Sequence, residues 1–255
     1  MAAAPLPFDD AGAGPAILLI HGHPFDRTMW APQLRTLSDE FRLIAPDLPG
    51  YGAAPPRGRT TTMRAFADDL IALLDHLELA SATVVGLSMG GLVAMELGLG
   101  DPDRIDRLVL AATTAAPVTP EELEQRRATA DRIERDGILD VALDMAGRLF
   151  GAQARRDPEI VGPLLQTMIR SSPAGAAAAL RGRAERPDYR ALLPHLTVPS
   201  LVIAGDDDAF ASEAVTQELI GALPGPEVVR IAGSGHLPNL ELQDEFDAAL
   251  RAFVR

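Results

Sequence analysis

Residues Val84-Val85-Gly86-Leu87-Ser88-Met89-Gly90-Gly91 restrict this chain more than any other stretch. A β-branched apolar run precedes Ser88, and a run of helical character, Leu92 to Leu99, follows it. The order is strand, sharp turn, helix, which lifts a side chain off the end of a sheet into an open crevice. The positions two before and two after the serine approach each other closely in such a turn. Glycine stands at both, as Gly86 and Gly90, where any side chain would collide. Gly91 leaves room for the new helix to lie on the strand. That helix points free N–H groups and its positive dipole end at whatever Ser88 attacks. A turn without chemistry is the plain alternative; the flanking elements favour a nucleophile.

The rest of the chain supplies the same kind of element. Ala16 to Ile20 is a compact apolar run that reads as a buried parallel strand ending at His21-Gly22-His23-Pro24. Phe8 begins a short strand or coil before it, and Trp30 to Leu37 reads as a short helix. Arg42 to Asp47 is a second strand, leading into Leu48-Pro49-Gly50-Tyr51-Gly52. Thr60 to Leu77 is amphipathic at helical spacing through Met63, Phe66, Leu70, Leu73, Leu74 and Leu77. Further strands fall at Leu108 to Ala112, Pro199 to Ala204 and Val228 to Ile231, with helices over Glu213 to Leu223 and Leu242 to Phe253. Strands alternating with helices predict an α/β fold with a mostly parallel sheet covered on both faces. From Pro117 to about Arg190 the strand signal stops. That segment reads as helices broken near Gly137, Gly151, Pro158, Pro163, Pro173 and Pro187. The division expected is a core of residues 1–116 and 191–255 with a helical cap, 117–190, inserted before the last two strands. Open parallel sheets bind ligands beyond their carboxyl ends, where such a cap would sit.

With 255 residues the chain can bury a sizeable core. It has no cysteine, so disulfides and thiolate chemistry are excluded. It also has no lysine: all 23 basic residues are arginine, which removes Schiff-base chemistry. The net charge of −13 disfavours nucleic acid and anionic membrane surfaces as partners. Residues 121–190 hold twelve arginines and twelve acids, so the negative charge resides elsewhere. No apolar run approaches the ~20 residues that span a bilayer. The start, Met1 to Pro7, lacks a basic or long apolar leader, and a cytoplasmic location is the default. Nothing marks an oligomer interface.

A serine hydroxyl needs a base within hydrogen-bond reach, and the base needs an acid to orient it. Of five histidines, His76 falls near the end of a surface helix, His195 precedes a strand, and His21 follows a buried strand where it pins a loop. His236 lies in the mobile-looking Gly233-Ser234-Gly235-His236 loop after the last strand and is the candidate base. The candidate acid is Asp208, with Asp207 as the alternative, in Gly205-Asp206-Asp207-Asp208. The order serine, aspartate, histidine fits this architecture. Oxyanion donors are expected from the backbone N–H groups of Met89 and His23. No His, Asp or Glu cluster has metal-ligand spacing, and neither metal nor cofactor is expected.

On the five motifs at His21, Asp47, Gly86, Gly205 and Gly233, in that order, the chain resembles the α/β-hydrolase superfamily over nearly its full length. Within it the chain looks most like small bacterial carboxylesterases, 3-oxoadipate enol-lactonases and cofactor-free perhydrolases. The resemblance implies an α/β-hydrolase fold of about seven or eight strands, the short N-terminus favouring seven. It also implies hydrolysis of a small-molecule ester or lactone through an acyl-enzyme. In such families the fourth residue of the Gly-x-x-Asp piece is the acid, which selects Asp208. C–C bond hydrolysis, perhydrolysis or a ligand-binding receptor on the same fold are the alternatives. Candidate pocket residues are Phe25, Met145, Leu149, Phe150, Leu164, Leu165, Met168 and Leu237, against packing among cap helices. If one or two of the cap's arginines face the pocket, the substrate carries a carboxylate.

Overall fold

The computed structural model describes residues 5–255; Met1 to Ala4, part of the start considered above, lie outside the described residues. Its strands are β1 (Phe8–Ala11), β2 (Ala16–Ile20), β3 (Arg42–Pro46), β4 (Ala82–Leu87), β5 (Ile105–Ala111), β6 (Ser200–Gly205) and β7 (Glu227–Ile231). Among the described residues these seven form one sheet in the order β1-β3-β2-β4-β5-β6-β7. Only β1 runs antiparallel, against β3. The central strands are apolar over most of their length because both faces are covered. Leu18, Ile20, Val84, Leu108, Leu110 and Val202 face one layer, while Ile17, Leu19, Val85, Leu87, Val109 and Ile203 face the other. Alternation of side chains across the pleat divides them in this way.

The helices are α1 (Ala31–Leu37), α2 (Met63–His76), α3 (Met89–Gly100), α4 (Pro120–Asp136), α5 (Leu139–Leu149), α6 (Pro158–Arg170), α7 (Pro173–Ala184), α8 (Glu213–Ala222), α9 (Pro238–Glu241) and α10 (Gln243–Val254). α2 is capped by the Thr62 hydroxyl, which accepts from Ala65 N–H, and it buries Met63, Phe66, Leu70, Leu73 and Leu74. Helices α4 to α7 lie between β5 and β6. Proline opens α4, α6 and α7, where a missing N–H costs nothing. One expected break is absent: α6 continues through Pro163. That ring lies on the exposed side, two turns or less from the helix start, and removes a single internal hydrogen bond.

The α4–α7 insert has a small core of its own, where Ala130 and Ile133 of α4 meet Ala176, Ala177 and Leu180 of α7. It meets the sheet domain through apolar residues of α5 and α6, such as Leu149, Leu164 and Met168, and through close backbone contacts of α7. The Gly175 and Gly50 backbones touch, Gly182 lies on Thr61, and Thr61 N–H donates to Ala178 O at 3.1 Å. The chain moves outward from β2 to β3 on one side and resumes at β4 on the other. The crevice at the carboxyl ends of β2 and β4 is therefore the switch point of the sheet.

Candidate active site

Ser88 stands at that switch point, between β4 and α3. Its φ of 55° is in the left-handed region, a conformation that costs a non-glycine residue of order 1–3 kcal/mol. Close packing enforces it. A side chain at Gly86 would lie 2.2 Å from Gly90 O, and one at Gly90 would lie 2.2 Å from Ile20 O. Ser88 N–H donates to Ala111 O at 2.9 Å, and the Thr113 hydroxyl donates to Ser88 O at 2.7 Å. The turn is thus tied to β5 at both its amide and its carbonyl.

His236 Nε2 is 2.9 Å from Ser88 Oγ, and its Nδ1 is 2.8 and 3.0 Å from the two carboxylate oxygens of Asp208. A carboxylate can only accept, so Nδ1 carries the proton and Nε2 is free to receive the serine's. Asp208 is buried, whereas Asp206 and Asp207 face solvent. Burial alone would raise the Asp208 carboxyl. The His236 ring and the N–H groups of Phe210 and Ala211, at 2.7 and 2.9 Å, outweigh it and hold the carboxyl below its ordinary value. The His236 loop is itself clamped. His236 N–H donates to Leu149 O at 2.7 Å. One Glu241 oxygen accepts from Gly235 and Gly151 N–H, and the other accepts from Leu237 N–H.

Met89 is the first residue of α3, so its N–H has no acceptor within the helix. His23 follows β2 in the adjacent loop, and a side chain at Gly22 would touch Ser88 Cβ at 3.4 Å. Among the described residues the His23 N–H donates to no protein group. The His23 ring faces the Tyr51 hydroxyl through Nδ1 at 2.7 Å and leaves Nε2 buried without a partner. Burial, reinforced by Arg183 and Arg126, pushes the His23 imidazole well below its usual value, so it is neutral. His21 pins the loop from beneath. Leu48 N–H donates to its Nε2 at 3.0 Å, which places the ring proton on Nδ1 against Gly22 O. His76 and His195 are exposed elsewhere.

A cavity of about 420 Å³ opens over Ser88, His236 and His23 and is roofed by the insert. Met145 lines it. Phe25, Leu149, Phe150, Leu164, Met168 and Leu237 do not: they are buried in the core on the far side of the sheet ends, with Leu165 packed against them. The phase of α5 explains this. Val141, Met145 and Arg148 look into the cavity, while Ala142 and Leu149 turn to the core. Leu149 does reach the site, through its backbone carbonyl. Residues with no signal of their own in the sequence complete the lining: Thr113, Phe210, and above all Arg126, Arg183 and Arg186. Phe210 packs tilted against His236 with ring centres 4.9 Å apart, and the Arg148 guanidinium lies over the Phe210 ring, 4.6 Å from its centre. No group of three or more metal-ligating side chains occurs among the described residues, nor any helix long and apolar enough to cross a membrane.

The sequence model of a family described as alpha/beta hydrolase fold matches residues 15–241. The solved structure of a thermophilic esterase from Thermogutta terrifontis, with malate bound, superposes with a TM-score of 0.95 at 40% identity, covering 98% of this chain and 93% of that one. The chain is 30% identical to 3-oxoadipate enol-lactonase 2 of Acinetobacter baylyi, over 94% of its length and 89% of the relative. It is 31% identical to a pimeloyl-[acyl-carrier protein] methyl ester esterase of Vibrio vulnificus, over 95% of each.

Proposed function

The chain belongs to the alpha/beta hydrolase fold family, and from that premise we propose that it is a serine hydrolase cleaving a small-molecule carboxylic ester or lactone through an acyl-enzyme. The observation that carries the reading is the unbroken hydrogen-bonded line Asp208–His236–Ser88. The names of the relatives, an esterase and an enol-lactonase among them, agree with the bond type.

In this reading His236 Nε2 takes the Ser88 proton as Oγ attacks the carbonyl carbon. The oxyanion enters the space before the N–H groups of His23 and Met89, each such donor being worth about 10²–10³-fold in rate. The imidazolium, stabilised by Asp208, gives its proton to the leaving oxygen. An ester releases an alcohol; a lactone keeps the new hydroxyl on the acyl chain. Water, deprotonated by His236, then frees the acid and restores Ser88. Residues 117–190 act as a cap that closes the cavity over Ser88 and sets its size.

Turnover of 4-nitrophenyl esters from acetate to octanoate by the wild type and Ser88→Ala tests this. Steady hydrolysis by the wild type and none by the variant supports it. An inert wild type that a fluorophosphonate fails to label at Ser88 overturns it in favour of a ligand-binding role. Label without ester turnover points to C–C bond cleavage or perhydrolysis by the same triad.

A further inference from the structure

Three of the twelve arginines in residues 121–190 are paired with acidic neighbours. Arg181 pairs with Asp131 and Glu134, Arg135 with Asp136, and Arg190 with Asp188. Arg132 and Arg148 line the Ser88 cavity unpaired among the described residues but exposed, whereas Arg126, Arg183 and Arg186 are buried or half-buried there. None of the three takes part in an ion pair among the described residues. All three face the cavity that contains Ser88. Arg186 donates only to backbone carbonyls, those of Ala116 and Arg183, at 3.1 Å each. The Nε groups of Arg126 and Arg183 are buried with no partner at all, as is His23 Nε2. Three of the chain's buried, unsatisfied nitrogens therefore border one cavity.

Three guanidinium groups crowded together repel one another, and enclosed unpaired charge is costly. Burial lowers the proton affinity of all three, and repulsion by neighbouring guanidinium groups adds to it at Arg183 and at Arg186, which falls to about 10. The acids nearest them do not close the account. Glu122 is exposed and holds Thr119 N–H in a capping box, and Asp144 lies exposed at the rim. What the cluster lacks is an anion, and a planar fork of N–H donors matches a carboxylate edge to edge.

We propose that Arg126, Arg183 and Arg186 seat a free carboxylate on the acyl part of the substrate, so that the product is a dicarboxylic acid. The seat deepens the serine-hydrolase reading and rests on it for the reacting bond alone. Placement on the acyl side follows from where the enclosed guanidinium groups lie, since Arg148 at the other end is exposed. Arg126 and Arg183 act on His23, the oxyanion end. The His236 end, where the leaving oxygen must receive its proton, is walled by Phe210 and Arg148. The same cavity also presents the apolar side chains of Leu92, Val141, Met145 and Leu180, which suit a short methylene chain.

The test compares mono-(4-nitrophenyl) glutarate with its neutral counterpart 4-nitrophenyl pentanoate. The wild type should show a kcat/KM at least tenfold higher for the acidic ester. Arg126→Gln and Arg183→Gln should each cut that ratio at least tenfold. Arg127→Gln, which removes an equal charge from the outer face of α4, should leave the ratio unchanged. Free glutarate should inhibit competitively and raise the wild-type Tm more than pentanoate or inorganic phosphate at equal concentration. A ratio near one in the wild type, or a ratio untouched by the cavity variants, overturns the proposal. Tighter binding of phosphate than of glutarate overturns its carboxylate identity. Should the variants fail to fold, the wild-type ratio and the glutarate shift decide it. If no ester is hydrolysed and Ser88 resists fluorophosphonate, the hydrolase reading falls, while glutarate binding still tests the seat.

Discussion

One carboxylate oxygen of Glu241 accepts the backbone N–H of Gly235, the residue before His236, at 2.9 Å, and the same oxygen accepts Gly151 N–H at 2.7 Å. Glu241 thereby joins the His236 loop to the strip of cap chain that crosses it. Neither glycine tolerates a side chain there, since one at Gly235 would lie 2.4 Å from Gly151 N. Glu241→Ala leaves three buried or half-buried donors without an acceptor, at a cost of about 1–3 kcal/mol each at most. Urea denaturation should show a loss of roughly 2–4 kcal/mol in all. Because Glu241 positions His236 without touching substrate, kcat should fall with little change in KM. Glu241→Gln, which keeps one acceptor oxygen, should recover part of both.

Asp208 fixes which nitrogen of His236 carries the proton. Asn at that place can donate as well as accept and permits the wrong tautomer. Asp208→Asn should retain the fold and lose about 10³–10⁴-fold in kcat/KM. Asp207→Asn, on the solvent side of the same turn, should lose less than twofold. Equal losses in the two, measured on one ester, would reassign the acid.

The φ of 55° at Ser88 separates two inactive variants. Alanine keeps the strain of the elbow; glycine relieves it. Ser88→Gly should therefore unfold at least as high in temperature as Ser88→Ala, by the equivalent of about 1 kcal/mol. Differential scanning calorimetry would decide, and a more stable alanine variant would mean that the elbow is relaxed.

His21 should make the fold sensitive to acid. Its ring accepts Leu48 N–H and donates to Gly22 O, which only the neutral form can do. Burial, the largest influence, lowers its pKa below 6.5 despite Gly22, Asp47 and Asp26. The unfolded chain then binds more protons than the native one as pH falls through about 6.5, so stability declines on acidification. The slope reaches at most about 1.4 kcal/mol per pH unit for each such histidine, and His23 adds a second. His21→Gln should be less stable at pH 8 yet show a shallower decline between pH 6.5 and 5. Chemical denaturation at several pH values measures both.

How much of this was legible in the sequence depended on whether the signal was local. β4, the elbow and α3 were readable because apolar β-branched residues, three glycines and a helical run are adjacent in the chain. The alternation of apolar runs with helical segments read as seven or eight strands, and the described residues form seven, with β1 a short strand at the edge. The facing of cap side chains was not readable. In α4, Glu122, Gln125, Arg126, Thr129 and Arg132 share one face at spacings of three and four. Nothing in that pattern says whether the face meets Ser88 or water, since an arginine stripe suits either. For the same reason Phe150, Met168 and Leu237 read as pocket residues by composition and proved to be core. Glu241 gave no signal because its partners are backbone amides 6 and 90 residues away.

α5 and α6 join the insert to the main core through Leu149, Phe150, Leu164 and Met168, whereas α7 is held by glycine contacts. α7 has little side chain to bury: Gly175, Ala176, Ala177, Ala178, Ala179 and Gly182 make up half of it and all are buried. What holds it is close approach. A side chain at Gly182 would lie 1.7 Å from Thr61 O and 2.4 Å from Thr61 C, both rigid backbone atoms. Gly182→Ala should therefore push α7 off the sheet domain at a cost of about 1–3 kcal/mol. The core of α4 and α7 should survive, because Ala130, Ile133, Ala176, Ala177 and Leu180 form a cluster of their own. Gly162 supplies the contrast: it sits within α6 with nothing near the position of a side chain. Gly162→Ala should stabilise by about 0.5–1 kcal/mol through backbone entropy alone. Limited proteolysis should cut Gly182→Ala faster than the wild type within residues 117–190, with the Gly162→Ala pattern unchanged. Cleavage spread evenly over the sheet domain would show instead that cap and core unfold as one unit.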